Sequence, residues 1–512
     1  MAMDRRRFLT TVGAIASATA SSHLLADKVP SASVPVWSGT KKSSGQTSAI
    51  RWLSTSRTRP WTALHHAELG PNDSSDLFSY DLQIQLNDPK QTMVGFGGAF
   101  SEKGWQGISS LPHDMQQEIL RAIFSPDTGA NFNIARTPMG ASDFALGWYS
   151  YDETPGDFLL ENFSIENDRT SLIPYIRSAM QYQPDLKIWA SPWSPPTWMK
   201  TNRHYAMAPA WPGQPSNGIQ PDQLGSEGND YFIQEKTYFE AYARYFRRYV
   251  EEYQKAGIPL CAVMPQNEFN SAQPFPSCCW TPEGLARFIP YLGAEMDKVN
   301  VDVLLGTLER DNPYLVDQIL AVPQAERVIK GVGVQWAGRG ALPFIAKRHP
   351  KLAIWGTEHE CGTGANDWHY THYAWDMIKT YLQHGASAYH YWNIALTTDP
   401  FSTWGWPQNS LVTIDPEARS YQFNHEYYLM KHFSQFISRG ARFLPATSFL
   451  GFENQLAFQN PDKSIVLVIQ NEMAEVLPVR VKIGDKILRA DLPADTFNTL
   501  HVPARLMPSA LT

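Results

Sequence analysis

Short, almost uninterrupted apolar runs alternate with longer amphipathic stretches over most of this chain. The runs Met93–Gly98, Asn133–Thr137, Lys187–Ser191, Cys261–Met264, Val303–Gly306, Gly331–Gln335, Ala353–Thr357 and Ala388–Trp392 read as strands buried on both faces. Strands of that kind separated by helices pair in parallel, and eight such units predict a (β/α)8 TIM barrel over residues 93–432. The intervening helices support the count. Tyr238, Tyr242, Tyr245, Tyr249 and Tyr253 recur with Phe246 and Val250 at steps of three and four, until Gly257 and Pro259 stop the helix. Asp367 caps another, which runs through Tyr370, Tyr373, Met377 and Tyr381 to Gly385. Both stripes read as core packing. A third helix starts at Thr281-Pro282, and Pro290 is expected to kink it.

On either side of the barrel the period shortens to two. Ser464–Ile469, Leu477–Val481 and Phe497–Val502 are short alternating segments between polar turns, predicting a β-sandwich over 433–512. Leu82–Leu86 alternates in the same way. It precedes the barrel and has no place in it, so the strand within 76–92 is expected to join the sandwich. Residues 27–75, rich in Ser, Thr, Pro and Lys, read as an N-terminal extension or linker. Before them, Arg5-Arg6-Arg7-Phe8-Leu9 leads into a small-residue apolar run, the pattern of a twin-arginine signal peptide over 1–26. A periplasmic or secreted location follows as an expectation. No later run approaches the roughly 18 apolar residues of a membrane-spanning helix.

Composition narrows the partners. A net charge of −7 offers no basic footprint for nucleic acid. The 17 tryptophans suit stacking on the apolar faces of sugars, although large cores use them too. The four cysteines, Cys261, Cys278, Cys279 and Cys361, are too few for a disulfide framework and read as buried free thiols. The glycines of Gly95-Phe96-Gly97-Gly98 lack the Lys-Ser/Thr end of a phosphate loop. His359, Glu360, Cys361, His369 and His372 match no common zinc spacing, so neither metal nor cofactor is expected.

The chemistry is concentrated in two glutamates. Glu268 follows the fourth predicted strand in Met264-Pro-Gln-Asn-Glu268, and Glu358 ends the seventh in Ile354-Trp-Gly-Thr-Glu358. In such a barrel the C-terminal ends of the strands share one rim, so a separation of 90 residues (358 − 268) places no distance between them. Two rim carboxyls suffice to break a glycosidic bond, one protonating the leaving oxygen and the other meeting the oxocarbenium-like carbon.

The runs Val94-Gly-Phe-Gly-Gly-Ala-Phe100, Asn133-Ile-Ala-Arg-Thr-Pro-Met139 with Ser142-Asp143-Phe144, Ala190-Ser-Pro-Trp-Ser-Pro-Pro-Thr-Trp-Met-Lys200, and Gln266-Asn267-Glu268 resemble glycoside hydrolase family 30. The resemblance extends over roughly residues 60 to 505. It implies a retaining β-glycosidase with Glu268 as general acid/base and Glu358 as nucleophile. It further implies Asn267 on the sugar 2-hydroxyl, Asp143 and Trp193 on the outer hydroxyls, Trp392 as an aromatic platform, and Arg136 holding the nucleophile ionised. Gln335 stands where animal-type glucosylceramidases carry the His of a His-Trp-Tyr motif, and it counts among the substrate-binding candidates. The bland readings are a buried ion pair for Arg136 and Asp143 and core indoles for Trp193 and Trp392.

Three departures bear on specificity. Phe269-Asn270 follows the acid/base where the family commonly has proline. Glu360 stands two residues beyond Glu358 as a rival nucleophile, and Gln335-Trp336-Ala337 lacks the family His and Tyr. The substrate is expected to be a β-linked glucoside, oligosaccharide or glycolipid, with glucosylceramide-like lipids and β-1,6-glucan leading. A β-xylosidase, a β-fucosidase or a non-catalytic carbohydrate-binding protein are the alternatives.

Overall fold

The structure is a computed structural model describing residues 50–72, 79–448 and 451–507. The expected signal peptide and the first part of the expected extension lie outside the described residues. Four strands precede the barrel: β1 (Arg51–Ser56), β2 (Thr62–Leu64), β3 (Glu68–Pro71) and β4 (Leu82–Ile84). The barrel strands are β5 (Gly95–Ala99), β6 (Ile134–Met139), β7 (Lys187–Pro192), β8 (Leu260–Val263), β9 (Asp302–Leu308), β10 (Ile329–Gln335), β11 (Ala353–Glu358) and β12 (Ala386–Asn393). They close in sequence order, β12 pairing with β5, and each of the eight predicted runs falls on one of them.

The barrel is filled, not hollow. Ile134, Trp189, Ala262, Met264, Leu304, Trp355 and Ala388 form its interior cluster. A Cβ on Gly97 would stand 1.7 Å from the carbonyl oxygen of Ile134, so the glycine run exists to let β5 approach β6. The tyrosine-striped helix spans Lys236–Lys255, and Asp367 caps the helix Trp368–Gln383 by accepting the N–H of Tyr370. The helix Pro282–Met296 runs through Pro290, whose ring nitrogen has no hydrogen to donate.

The remaining strands are β13 (Ala395–Thr397), β14 (Val412–Asp415), β15 (Ser420–Phe423), β16 (Arg442–Leu444), β17 (Ala446–Thr447), β18 (Gln455–Gln459), β19 (Ile465–Asn471), β20 (Leu477–Ile483), β21 (Lys486–Leu492) and β22 (Thr496–Val502). The sandwich consists of a six-stranded sheet, β16-β18-β19-β22-β1-β2, facing a five-stranded one, β17-β4-β20-β21-β3. Leu82–Ile84 lies between β17 and β20, parallel to the latter.

Residues 51–71 correct the linker reading: three sandwich strands lie there. Their Ser and Thr are strand residues. Thr55, for example, is fully buried and hydrogen-bonded to His432 at 2.9 Å. Sequence composition suggested solvation because it does not reveal that β1 pairs along its whole length with β22.

Strand β19 explains how the two parts join. Ile465, Leu467 and Ile469 pack into the sandwich core, whereas Val466 and Val468 belong to the main cluster of barrel and helices. Every residue of β19 is buried, so the six-stranded sheet is covered on both faces at this strand. Trp368 Nε1 donates to Asp495 at 2.8 Å, and His432 bridges Thr499 and Thr55, fixing the barrel helices to that sheet.

Candidate active site

Arg136 is the organising group. It stands on β6, fully buried, and its Nη1 donates to Glu358 Oε2 at 2.7 Å. Its Nη2 donates to Asn267 Oδ1 at 2.6 Å and to Ser191 Oγ at 2.9 Å. The guanidinium lies 4.3 Å from the ring centre of Trp193, 5.0 Å from that of Trp189 and 5.4 Å from that of Trp392. Burial pulls its pKa below the usual range, and attraction to Glu358, Asp143 and Glu268 acts against that pull. A buried cation is tolerated on such terms, with carboxylate, amide, hydroxyl and aromatic faces replacing water.

Asn267 Oδ1 receives two further donors, Gln335 Nε2 at 2.7 Å and Thr307 Oγ1 at 3.2 Å. With its oxygen held, the amide is fixed in orientation. Glu268 follows in a left-handed backbone conformation, φ 47°, which turns the chain at the rim. Its N–H is caught by Thr307 Oγ1 at 3.0 Å, and Gln273 Nε2 donates to its carboxylate at 3.2 Å. Glu268 and Glu358 are only 3% and 7% exposed, so water reaches them poorly.

The rival nucleophile is turned away. Tyr373 donates to Glu360 Oε2 at 2.6 Å, and Arg339 donates to the same phenol at 2.8 Å, drawing Glu360 onto the helix Trp368–Gln383. The carboxylate joined to Arg136 is Glu358. The residues of the metal reading also disperse: His359 faces Tyr389, and His372 contacts Gln470 and Asp495, both at 2.9 Å. Among the described residues no group of three or more His, Cys, Asp or Glu is placed to hold a metal ion. All four cysteines are free thiols.

Two candidates are placed differently from their sequence reading. Gln335 is fully buried, and its amide nitrogen serves Asn267 and Thr307, so it stands behind the site as a support. Trp392 is 1% exposed and stacked on Trp193, ring centres 5.3 Å apart, so its face is covered and cannot serve as an open platform. Its Nε1 is a buried donor without a protein partner. Asp143 and Trp193, 5% and 1% exposed, both lie near the Arg136 guanidinium. A second aromatic cluster comes from the loops after β6, β7 and β12, where half-buried Trp148 stacks on half-buried Tyr205 (5.5 Å, 11°) and meets the buried Trp404 at 4.5 Å. Gln273 and Trp148 stand in irregular segments that carry no periodic signal, and Thr307 lies on β9, where an apolar run does not reveal which neighbours a lone hydroxyl meets.

Behind Glu358, the loop after β11 is supported by a buried acid. Asn409 accepts the N–H groups of Gly364 and Asn366 at 2.8 and 3.2 Å, and donates to Glu426 at 2.9 Å. Burial pushes the Glu426 carboxyl up to about 7 from an ordinary value of 4.5, despite the Asn409 bond that opposes it. A carboxyl raised on folding stabilises the fold fully below its unfolded pKa and loses that contribution as pH climbs through its folded value. Glu426→Gln, which cannot ionise, is therefore expected to raise Tm at pH 8 and to change it little at pH 4.5. Thermal unfolding followed by circular dichroism between these limits checks this, and a constant offset across the range would contradict it.

Comparison with known proteins places this geometry. Residues 93–437 match the glycosyl hydrolase family 30 TIM-barrel domain, and residues 452–500 match the family 30 beta sandwich domain. The chain is 28% identical to lysosomal acid glucosylceramidase of Mus musculus over 79% of either chain. It is 27% identical to endo-1,6-beta-D-glucanase neg1 of Aspergillus fumigatus over 81% of this chain and 86% of that one. Its fold superposes on SrfJ from Salmonella typhimurium with a TM-score of 0.77 and 24% identity, covering 89% of this chain and 99% of the other. A match spanning both the barrel and the sandwich shows that the chain belongs to glycoside hydrolase family 30 and is a β-glycoside hydrolase.

Proposed function

We propose that the protein hydrolyses β-glucosides with retention of configuration, Glu358 acting as nucleophile and Glu268 as general acid/base. The observation that carries this is the Arg136 bridge: one guanidinium holds Glu358 on one side and Asn267, next to Glu268, on the other. The Glu358 carboxylate attacks the anomeric carbon while Glu268 gives its proton to the departing oxygen, so the C–O bond breaks as a glycosyl ester forms. Glu268, now ionised, takes a proton from water, whose oxygen attacks the same carbon and frees Glu358. Asn267 has its carbonyl oxygen engaged, leaving the amide N–H groups for the sugar 2-hydroxyl. Asp143 and Trp193 are the candidates for the outer hydroxyls, and the free Trp392 Nε1 is a further donor.

A soluble β-1,6-linked glucan is the favoured substrate. Support comes from similarity to an endo-1,6-beta-D-glucanase and from half-buried Trp148 and Tyr205, which put aromatic side chains on the loops after β6 and β7. Glucosylceramide is the second reading, favoured by the comparable identity to a lysosomal acid glucosylceramidase. The Arg5-Arg6-Arg7 motif supports export to the periplasm or beyond. The test is a panel of aryl β-glucoside, β-xyloside and β-fucoside, β-1,6-glucan and micellar glucosylceramide, with products followed by chromatography and the first-formed anomer by NMR. Release of β-anomeric sugar from the glucan is expected. Initial α-anomer would overturn retention, and saturable binding without turnover would favour a carbohydrate-binding protein.

A further inference from the structure

The loop 140–151 after β6 delivers Asp143 to the rim, and two buried carboxylates outside the reacting pocket hold it from behind. Asp168, in the turn Asp168–Thr170, is fully buried and accepts three phenolic hydroxyls. Tyr149 donates to its Oδ1 at 3.0 Å, and Tyr151 and Tyr253 donate to its Oδ2 at 2.6 and 2.7 Å. Tyr149 and Tyr151 belong to the loop, and Tyr253 to the helix Lys236–Lys255.

The same tyrosines close the loop on itself. Tyr151 Oη accepts the N–H of Gly140 at 2.9 Å, and the Tyr149 carbonyl accepts that of Ala141 at 3.1 Å. Tyr245 Oη accepts the N–H of Tyr151 at 3.0 Å. Farther round, Glu102, 4% exposed, accepts the N–H of Leu146 at 2.9 Å, and the Phe144 carbonyl accepts that of Lys103 at 3.1 Å. The loop is therefore anchored on both sides of Asp143. Burying an anion is unfavourable, and burial pushes Asp168 up to about 7 against the pull of its three phenols. Apolar packing would fill the same space without that penalty. What the carboxylate adds is direction, since three hydroxyls converging on two oxygens fix where Tyr149 and Tyr151 stand.

We propose that Asp168 is a positioning residue for glycoside recognition, holding the loop 140–151 through Tyr149 and Tyr151 in the conformation that presents Asp143 to the sugar. This rests on the reading of Asp143 as a sugar-binding residue.

The test is a double-mutant cycle on the full-length protein. Tyr151→Phe removes one oxygen and leaves a ring still stacked on Tyr249 at 5.4 Å, so it keeps the cycle usable should Asp168→Asn fold poorly. Each single variant is expected to lower kcat/KM on an aryl β-glucoside by about 10- to 100-fold, the scale of a small misplacement. In an Asp143→Ala background the same changes are expected to alter kcat/KM by no more than about twofold, because coupled residues are non-additive. Equal losses with and without Asp143 would overturn the proposal, as would wild-type kcat/KM in Tyr151→Phe. Unchanged kcat/KM in Asp143→Ala alone would overturn the sugar-binding reading of Asp143, and the proposal with it.

Discussion

Glu358→Ala is expected to yield a folded protein that hydrolyses an aryl β-glucoside about 10⁴-fold more slowly than wild type, a loss of about 5 kcal/mol of transition-state stabilisation. Without the carboxylate no glycosyl ester forms, and the short side chain leaves space at the anomeric carbon. Azide should enter that space from the face opposite the leaving group and give the α-glycosyl azide from a β-glucoside. Product analysis by NMR distinguishes the outcomes. Recovery of α-azide identifies Glu358 as the nucleophile, whereas normal turnover in Glu358→Ala, with loss in Glu360→Ala, would transfer that role. Arg136 speaks for the first outcome, since its salt bridge reaches Glu358 at 2.7 Å while Glu360 is bonded to Tyr373.

The second large effect is expected at Arg136. Arg136→Leu leaves Glu358 buried without its cation, and removing one partner of a buried pair typically costs about 3–5 kcal/mol of stability. Arg136→Lys is the sharper test. Lysine restores the charge but offers one ammonium where the guanidinium serves Glu358, Asn267 and Ser191 in fixed directions. A fall in kcat/KM of about 10³-fold is expected for Arg136→Lys even where Tm is largely restored, corresponding to about 4 kcal/mol. Near-wild-type kinetics in Arg136→Lys would mean that charge alone matters and that the orientation of Asn267 is incidental.

What was legible in the chain depended on how local each signal is. A barrel strand buried on both faces needs an unbroken apolar run, so β5 to β12 are visible as such, and a carboxylate closing a run is visible as a rim residue. Beyond that, local pattern runs out. The Ser- and Thr-rich stretch 51–71 looks solvated because its partners lie at the other end of the chain. The tyrosine stripe of Lys236–Lys255 reads correctly as packing, yet spacing reveals where rings point and not what their hydroxyls meet; Tyr245 and Tyr253 turn out to hold the Asp143 loop. Gln335 and Trp392 are correctly placed at strand ends. Burial decides whether such a side chain offers an open face, and burial at a strand end depends on loops from other units.

Strand β1 has its partner at the far end of the chain, with Arg51 opposite His501. At a synthesis rate of about 5–20 residues per second, β1 waits roughly 20–90 s on the ribosome's timetable before β22 emerges to pair with it. During that interval the barrel can assemble, but its sandwich-facing apolar residues stay uncovered and the early strands present open edges. Completion of the last fifty or so residues is thus the step that covers those apolar surfaces and pairs β1, and a nascent chain stalled before β22 would be a client for chaperones, not a smaller enzyme.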